Sequence, residues 1–162
     1  MIVASSRNAP IQFRISPSLA RLRAAMRGAA HEMADLRIPH RQIAVFLDRW
    51  VQQNFRTEGG EVGGWQPFAI GGRWVGRGST RRFDPAAKLL QDTGRLRASY
   101  ESFYSARDAG IGSNLDYAEP QNDGTRTLPA RRMIPRKEEV ADDVRGIYRR
   151  HVDRALGRLQ KR

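Results

Sequence analysis

Eight of the chain's 15 glycines fall between Glu58 and Phe83, and this crowding constrains the layout more than any other feature. Each glycine costs a helix interior about 1 kcal/mol against alanine, so no stable helix runs through the segment. Residues 58–83 therefore read as a long loop or an extended β-ribbon between helical stretches. Loops of this length are generally functional or disordered. Trp65, Pro67, Phe68 and Trp74 are set among the glycines, and Arg73, Arg77, Arg81 and Arg82 fill the second half with no acid between them. Arginines so placed can hold phosphates without reading sequence, and the aromatics can stack on bases or anchor in a neighbour's pocket.

On either side the apolar spacing is helical. Ile43, Phe46, Leu47, Trp50, Val51 and Phe55 form one broad stripe, which predicts a helix from about Pro39 to Thr57 whose face forms the core. Ile38-Pro39 suggests a bend, because a residue before proline avoids the helical region. Residues 137–160 form the second long helix, with Val140, Val144, Ile147, Tyr148, Val152, Leu156 and Leu159 on one side. Its acids come first and its arginines last, as the helix dipole favours. Asp84-Pro85 reads as a cap and first helical residue, starting a helix that carries Leu89 and Leu90 to a stop near Gly94. Ser102 to Ala106 and Ile111 to Ser113 flank Arg107-Asp108-Ala109-Gly110 as a hairpin turn, and Asn114 to Leu128 is turn-rich. Upstream, Ile11–Ile15 alternates like a strand, and Ser16-Pro17 opens a helix carrying Leu19, Leu22, Met26 and Met33. Residues 1–10 read as a flexible N-terminal arm, and 11–162 as a single domain. The fold class is α+β, with long helices packed on a small antiparallel sheet.

Charge limits the partners. Lys and Arg number 29 against 17 Asp and Glu, for a net charge of +12. Arginine far exceeds lysine, which favours bidentate contact with phosphate or carboxylate. There is no cysteine, no apolar run near the ~20 residues of a membrane span and no secretory signal pattern. We therefore expect a soluble protein without membrane contact. His31, His40 and His151 are far apart in sequence and read as surface or satisfied core histidines. Asp142 and Asp143 are adjacent, so a helix points them apart. Gly59-Gly60 and Gly63-Gly64 lack the Lys-Ser/Thr of a phosphate-cradling loop. We expect no enzyme, with no catalytic residue, metal site or cofactor.

A set of short motifs runs in order along the chain. Asn54-Phe55 precedes Glu58-Gly59-Gly60 and Gly64-Trp65-Gln66-Pro67. Leu90-Gln91-Asp92-Thr93-Gly94-Arg95-Leu96, Gly112-Ser113-Asn114, Tyr117-Ala118, Gly124 and Pro129-Ala130-Arg131 follow. In this order and spacing the chain resembles the virion-morphogenesis, or tail-completion, family of tailed bacteriophages. The resemblance implies a structural protein of the phage neck or tail end that acts in head–tail joining as a homo-oligomer, often a hexameric ring. Its implied partners are itself, other neck and tail proteins and, non-specifically, packaged DNA. Its implied location is the virion, after assembly in the host cytoplasm. On this reading Arg73, Arg77, Arg81 and Arg82 face nucleic acid or a ring lumen. Trp65, Phe68, Trp74, Pro129, Ala130, Arg131 and Arg132 meet a neighbouring subunit or partner. Gly94, Leu96, Tyr117, Ala118 and Gly124 are structural motif positions. A reading from a different class is a sequence-independent DNA-binding accessory protein.

Overall fold

A computed structural model describes residues 27, 28, 30, 31 and 34–160. The arm at 1–10, the alternating Ile11–Ile15 and the helix opened by Ser16-Pro17, with Leu19, Leu22, Met26 and Met33, lie outside the described residues. Helix α1 spans Arg37–Arg56. Ile38 and Pro39 sit within its first turn rather than at a bend, where a missing N–H breaks no intrahelical bond. Its stripe is buried as expected at Ile43, Leu47, Val51 and Phe55, but the centre is displaced. Val51 and Phe55 are fully buried, whereas Trp50 is half-buried and packs at the margin.

The end of α1 is built by Thr57, Glu58 and Gly59. Gly59 N–H returns to the Asn54 carbonyl (2.8 Å) and Glu58 N–H to the Phe55 carbonyl (3.4 Å). These are the paired bonds of a Schellman stop. The left-handed residue that glycine usually supplies is here Glu58, at φ +51°. Gly59 follows at φ +91°, against the Trp65 indole, where a Cβ would collide with the ring.

Two small antiparallel two-stranded sheets accompany the helices, one of them the ribbon expected within residues 58–83. Strands β1 (Arg73–Val75) and β2 (Arg82–Asp84) form one, and β3 (Tyr100–Tyr104) and β4 (Ala109–Ser113) form the other. A short helix α2 (Arg95–Ala98) leads into β3, and α3 (Ala118–Asp123) lies within the turn-rich stretch from Asn114 to Leu128. The β3–β4 hairpin lies against α1. Its turn is Ser105–Asp108, two residues earlier than the Arg107–Gly110 turn expected. The Ser105 hydroxyl bonds the Asp108 carboxylate and accepts the N–H groups of Arg107 (3.0 Å) and Asp108 (3.1 Å). Gly110 instead pairs with Phe103, whose ring would sit 2.6 Å from any Cβ there.

No helix starts at Asp84-Pro85. Asp84 ends β2 opposite Arg73, and its carboxylate accepts the Ala86 N–H (3.0 Å) as a turn. Leu89 enters the core while Leu90 takes φ +57°, a conformation no helix interior accepts. The last helix, α4, spans Ala141–Gln160. Residues 137–139 form a turn instead, because the Glu139 carboxylate folds back onto the Arg136 N–H (2.8 Å) and Arg132 (2.7 Å). The far part of its stripe does not close over: Val152 and Leu156 are exposed.

One core cluster gathers Val51, Phe55, Trp65, Leu89, Leu96, Tyr100, Ala118 and Met133; a smaller one joins Ile43 and Leu47 of α1 to Ile147 of α4. Burial, and secondarily the negative charge of Asp123, pushes the Tyr100 phenol up to about 12, against an ordinary ~10. The folded state therefore holds that proton where the unfolded chain releases it, so stability is full below about pH 10 and falls as pH rises towards 12. Tyr100→Phe should remove this loss, leaving the variant's urea midpoint less sensitive than wild type's between those limits. Parallel alkaline profiles would show that the phenol is not so held.

Candidate functional site

The family-type motifs converge on one interior joint. The Arg132 carbonyl accepts the Asn54 side-chain amide (2.9 Å) and the Trp65 indole N–H (2.8 Å). The Gln91 amide donates to the Phe55 carbonyl (2.7 Å). The Asn122 side-chain oxygen accepts the N–H groups of Met133 (2.8 Å) and Ile134 (3.3 Å). Gly124, at φ +79°, lies so near the Pro129–Arg131 segment that a Cβ would meet the Ala130 nitrogen at 2.7 Å. Asn54 and Asn122 thus tie α1 and α3 to the segment at 132–134, and Gln91 ties the loop before α2 to the end of α1. None of the three was among the site residues expected, although Asn54 and Gln91 belong to the ordered motifs; their partners, 78, 36 and 11 positions away, leave no local sign of the contact.

This joint removes several residues from the partner-facing set. Trp65 is buried, edge-on to Phe55 at 5.3 Å between ring centres, and cannot anchor in a neighbour. Arg131 spans its own subunit: its guanidinium donates to the Gln66 carbonyl (3.0 Å) and lies 5.9 Å from the centre of the half-buried Phe68 ring. Arg132 pairs with Glu139. Among the motif glycines and their neighbours, Gly94 takes φ +72° before α2, Leu96 and Ala118 are buried, and Tyr117 is exposed. Pro129 is half-buried and Ala130 exposed. His40 is a satisfied core residue: its Nδ1–H donates to the Ser105 carbonyl (2.8 Å), leaving Nε2 to accept the Tyr148 hydroxyl (2.8 Å).

What faces outward is the β1–β2 ribbon. Its register sets Arg73 opposite Asp84, Trp74 opposite Phe83 and Val75 opposite Arg82. Trp74 is 51% and Phe83 38% exposed, and their ring centres lie 5.6 Å apart, edge-to-face at 68°. The Arg81 guanidinium lies 5.5 Å from the Trp74 ring centre, a cation–π contact. The connecting turn needs glycine at Gly76, at φ +85°, where a Cβ would meet the Thr80 carbonyl oxygen at 2.6 Å. Thr80 closes that turn by donating its hydroxyl to the Arg77 carbonyl (2.7 Å).

The four arginines divide. Arg73 forms an ion pair with Asp92, anchoring the ribbon's base to the loop before α2. The hydrogen bond from Arg73 holds the Asp92 carboxyl below its usual range, with the charge of Arg77 adding to it. Arg73 is thus not free of acids, and it is only partly exposed. Arg77, Arg81 and Arg82 are exposed, and none pairs with a carboxylate among the described residues. Phe83 completes the aromatic pair and was not among the residues expected. The exposed ribbon therefore offers two edge-to-face aromatics and three exposed guanidinium groups that form no ion pair among the described residues, on one short β-arm.

Comparison with known proteins fits this division between an interior joint and an exposed arm. A profile described as the phage virion morphogenesis family matches residues 18–153. The chain belongs to that family. A role in the structure or assembly of the phage virion follows. No curated protein and no solved structure matches the chain. Among the described residues, no helix is long and apolar enough to cross a membrane.

Proposed function

We propose that this member of the virion morphogenesis family is a non-enzymatic structural subunit of the phage neck or tail end. It completes the tail and joins it to the head as a homo-oligomeric ring, hexameric by analogy with related tail-end proteins. Its partners are further copies of itself and other neck and tail proteins. It acts in the virion, after assembly in the bacterial cytoplasm. The observation that carries this reading is the β1–β2 ribbon, whose Trp74, Phe83, Arg77, Arg81 and Arg82 stay exposed while the motifs beneath it are used internally. Tryptophan and arginine on a protruding element are the residue types that dominate protein interfaces.

Light scattering of the purified chain, with electron microscopy of the same sample, tests the proposal. Closed rings of a single size are expected, alone or once tails lacking the protein are added. The exposed Arg77, Arg81 and Arg82 also favour a second reading, a DNA-binding accessory protein. A chain that stays monomeric under both conditions, and shifts random duplex DNA in a strongly salt-dependent way, would replace the ring by that reading.

A further inference from the structure

A second surface, sharing no residue with the ribbon, lies between α1 and α4. The groove between them holds about 550 Å³. Its apolar lining comes from Ile38, Val45 and Phe46 of α1 and Ile147 of α4. Ile38 is 52% and Val45 44% exposed. Arg41, Arg49 and Arg150 also line it, all exposed and none paired with a carboxylate among the described residues. Among the described residues, no acidic one lines the groove. From Ile38 to Arg49 the α1 side runs roughly 16 Å at the helical rise, the length of about three helical turns.

We infer that this groove is the docking site for an acidic amphipathic helix of a second protein. An apolar stripe at i, i+4 and i+7 spacing would lie on Ile38, Val45, Phe46 and Ile147, as in other helix-in-groove complexes. Aspartates or glutamates flanking that stripe would meet the three guanidinium groups, which suit bidentate carboxylate contact. Charge decides among the candidate occupants. A second copy presenting the same groove would set arginines against arginines. The chain's own first 26 residues carry Arg7, Arg14, Arg21 and Arg23 and no acid, so they repel the rim. Nucleic acid would match the rim but not the aliphatic floor. The inference is independent of the ribbon's role.

The test uses the full chain and a fluorescein-labelled helical peptide of about 12 residues, with leucines at the stated spacing and glutamates beside them. A twin peptide carries lysine for each glutamate. At physiological ionic strength the glutamate peptide should bind at least ~10-fold tighter, as an interface built on close charge pairs requires. It should also cross-link to the chain bearing Val45→p-benzoylphenylalanine. Combined Arg41→Glu, Arg49→Glu and Arg150→Glu should invert the preference, while Arg77→Ala with Arg81→Ala and Arg82→Ala should leave it intact. Circular dichroism melts establish that each variant is folded, and Val45→Asp, a single exposed change, should by itself weaken the glutamate peptide. Equal binding of the two peptides, or a preference that survives the reversal, overturns the inference. So does displacement of the peptide from the Val45 probe by short duplex DNA, or cross-linking there between two copies or to residues 1–26.

Discussion

Trp65→Ala should destabilise the subunit by ~3–5 kcal/mol, as buried large aromatics do when truncated. Trp65 does more than fill space. Its ring is 7% exposed and sits edge-on to the fully buried Phe55, in a geometry that adds to burial alone. Its indole N–H is one of two donors to the Arg132 carbonyl, and its backbone N–H bonds the Glu58 carbonyl at 2.8 Å. The side chain thus fastens the Pro129–Met133 segment to the end of α1. Urea unfolding checks the value, with Trp50→Ala as the internal comparison. Trp50 has the same volume but is only half-buried at the margin of the same cluster, so its loss should be clearly smaller. If Trp65→Ala melts like wild type, or Trp50→Ala proves the costlier change, the core is not centred on this joint.

The contrast between those two tryptophans marks where sequence reasoning holds. A 20-residue helix displays its buried stripe several times over, so the apolar face of α1 was legible from spacing alone, to within one position. The strands of the β1–β2 ribbon have three residues each, too few to show a period of two. Glycine density pointed to a loop or ribbon there but could not give the register. Asp84-Pro85 carries a genuine local helix signal that tertiary context overrides: Asp84 pairs across the ribbon and Leu89 is drawn into the core. The candidate site divides in the same way. The charge and exposure of Arg77, Arg81 and Arg82 follow from a stretch without acids. The inward roles of Trp65, Arg73 and Arg131 depend on Arg132, Asp92 and Gln66, partners 67, 19 and 65 positions away. Nothing local announces such contacts. Several motif residues, Asn54, Phe55, Trp65 and Gln91 among them, proved to be committed internally, because they build the joint.

Removing the ribbon's exposed charge should produce the largest functional effect. Combined Arg77→Ala, Arg81→Ala and Arg82→Ala deletes three exposed guanidinium groups that form no ion pair among the described residues, so the free subunit should keep its melting behaviour within ~0.5 kcal/mol per site. If these arginines meet phosphates, random-duplex binding should weaken and its log–log salt slope should flatten by up to ~2.7, at 0.9 per lost contact. Arg73→Ala should act differently. It unpairs Asp92 at the ribbon's base, loosening the arm, and should raise proteolysis after Arg77 more than it changes the salt slope. Trp74→Ala separates the two roles of the arm. It removes the face that Phe83 and Arg81 pack against without removing a charge. Assembly lost in Trp74→Ala and in the triple arginine variant alike would mean that the ribbon grips a neighbouring subunit. Intact assemblies that fail to retain DNA, in the arginine variant alone, would mean that it lines a passage for the genome. If assembly, DNA retention and infectivity all survive both variants, the ribbon is solvated surface and the functional face lies elsewhere.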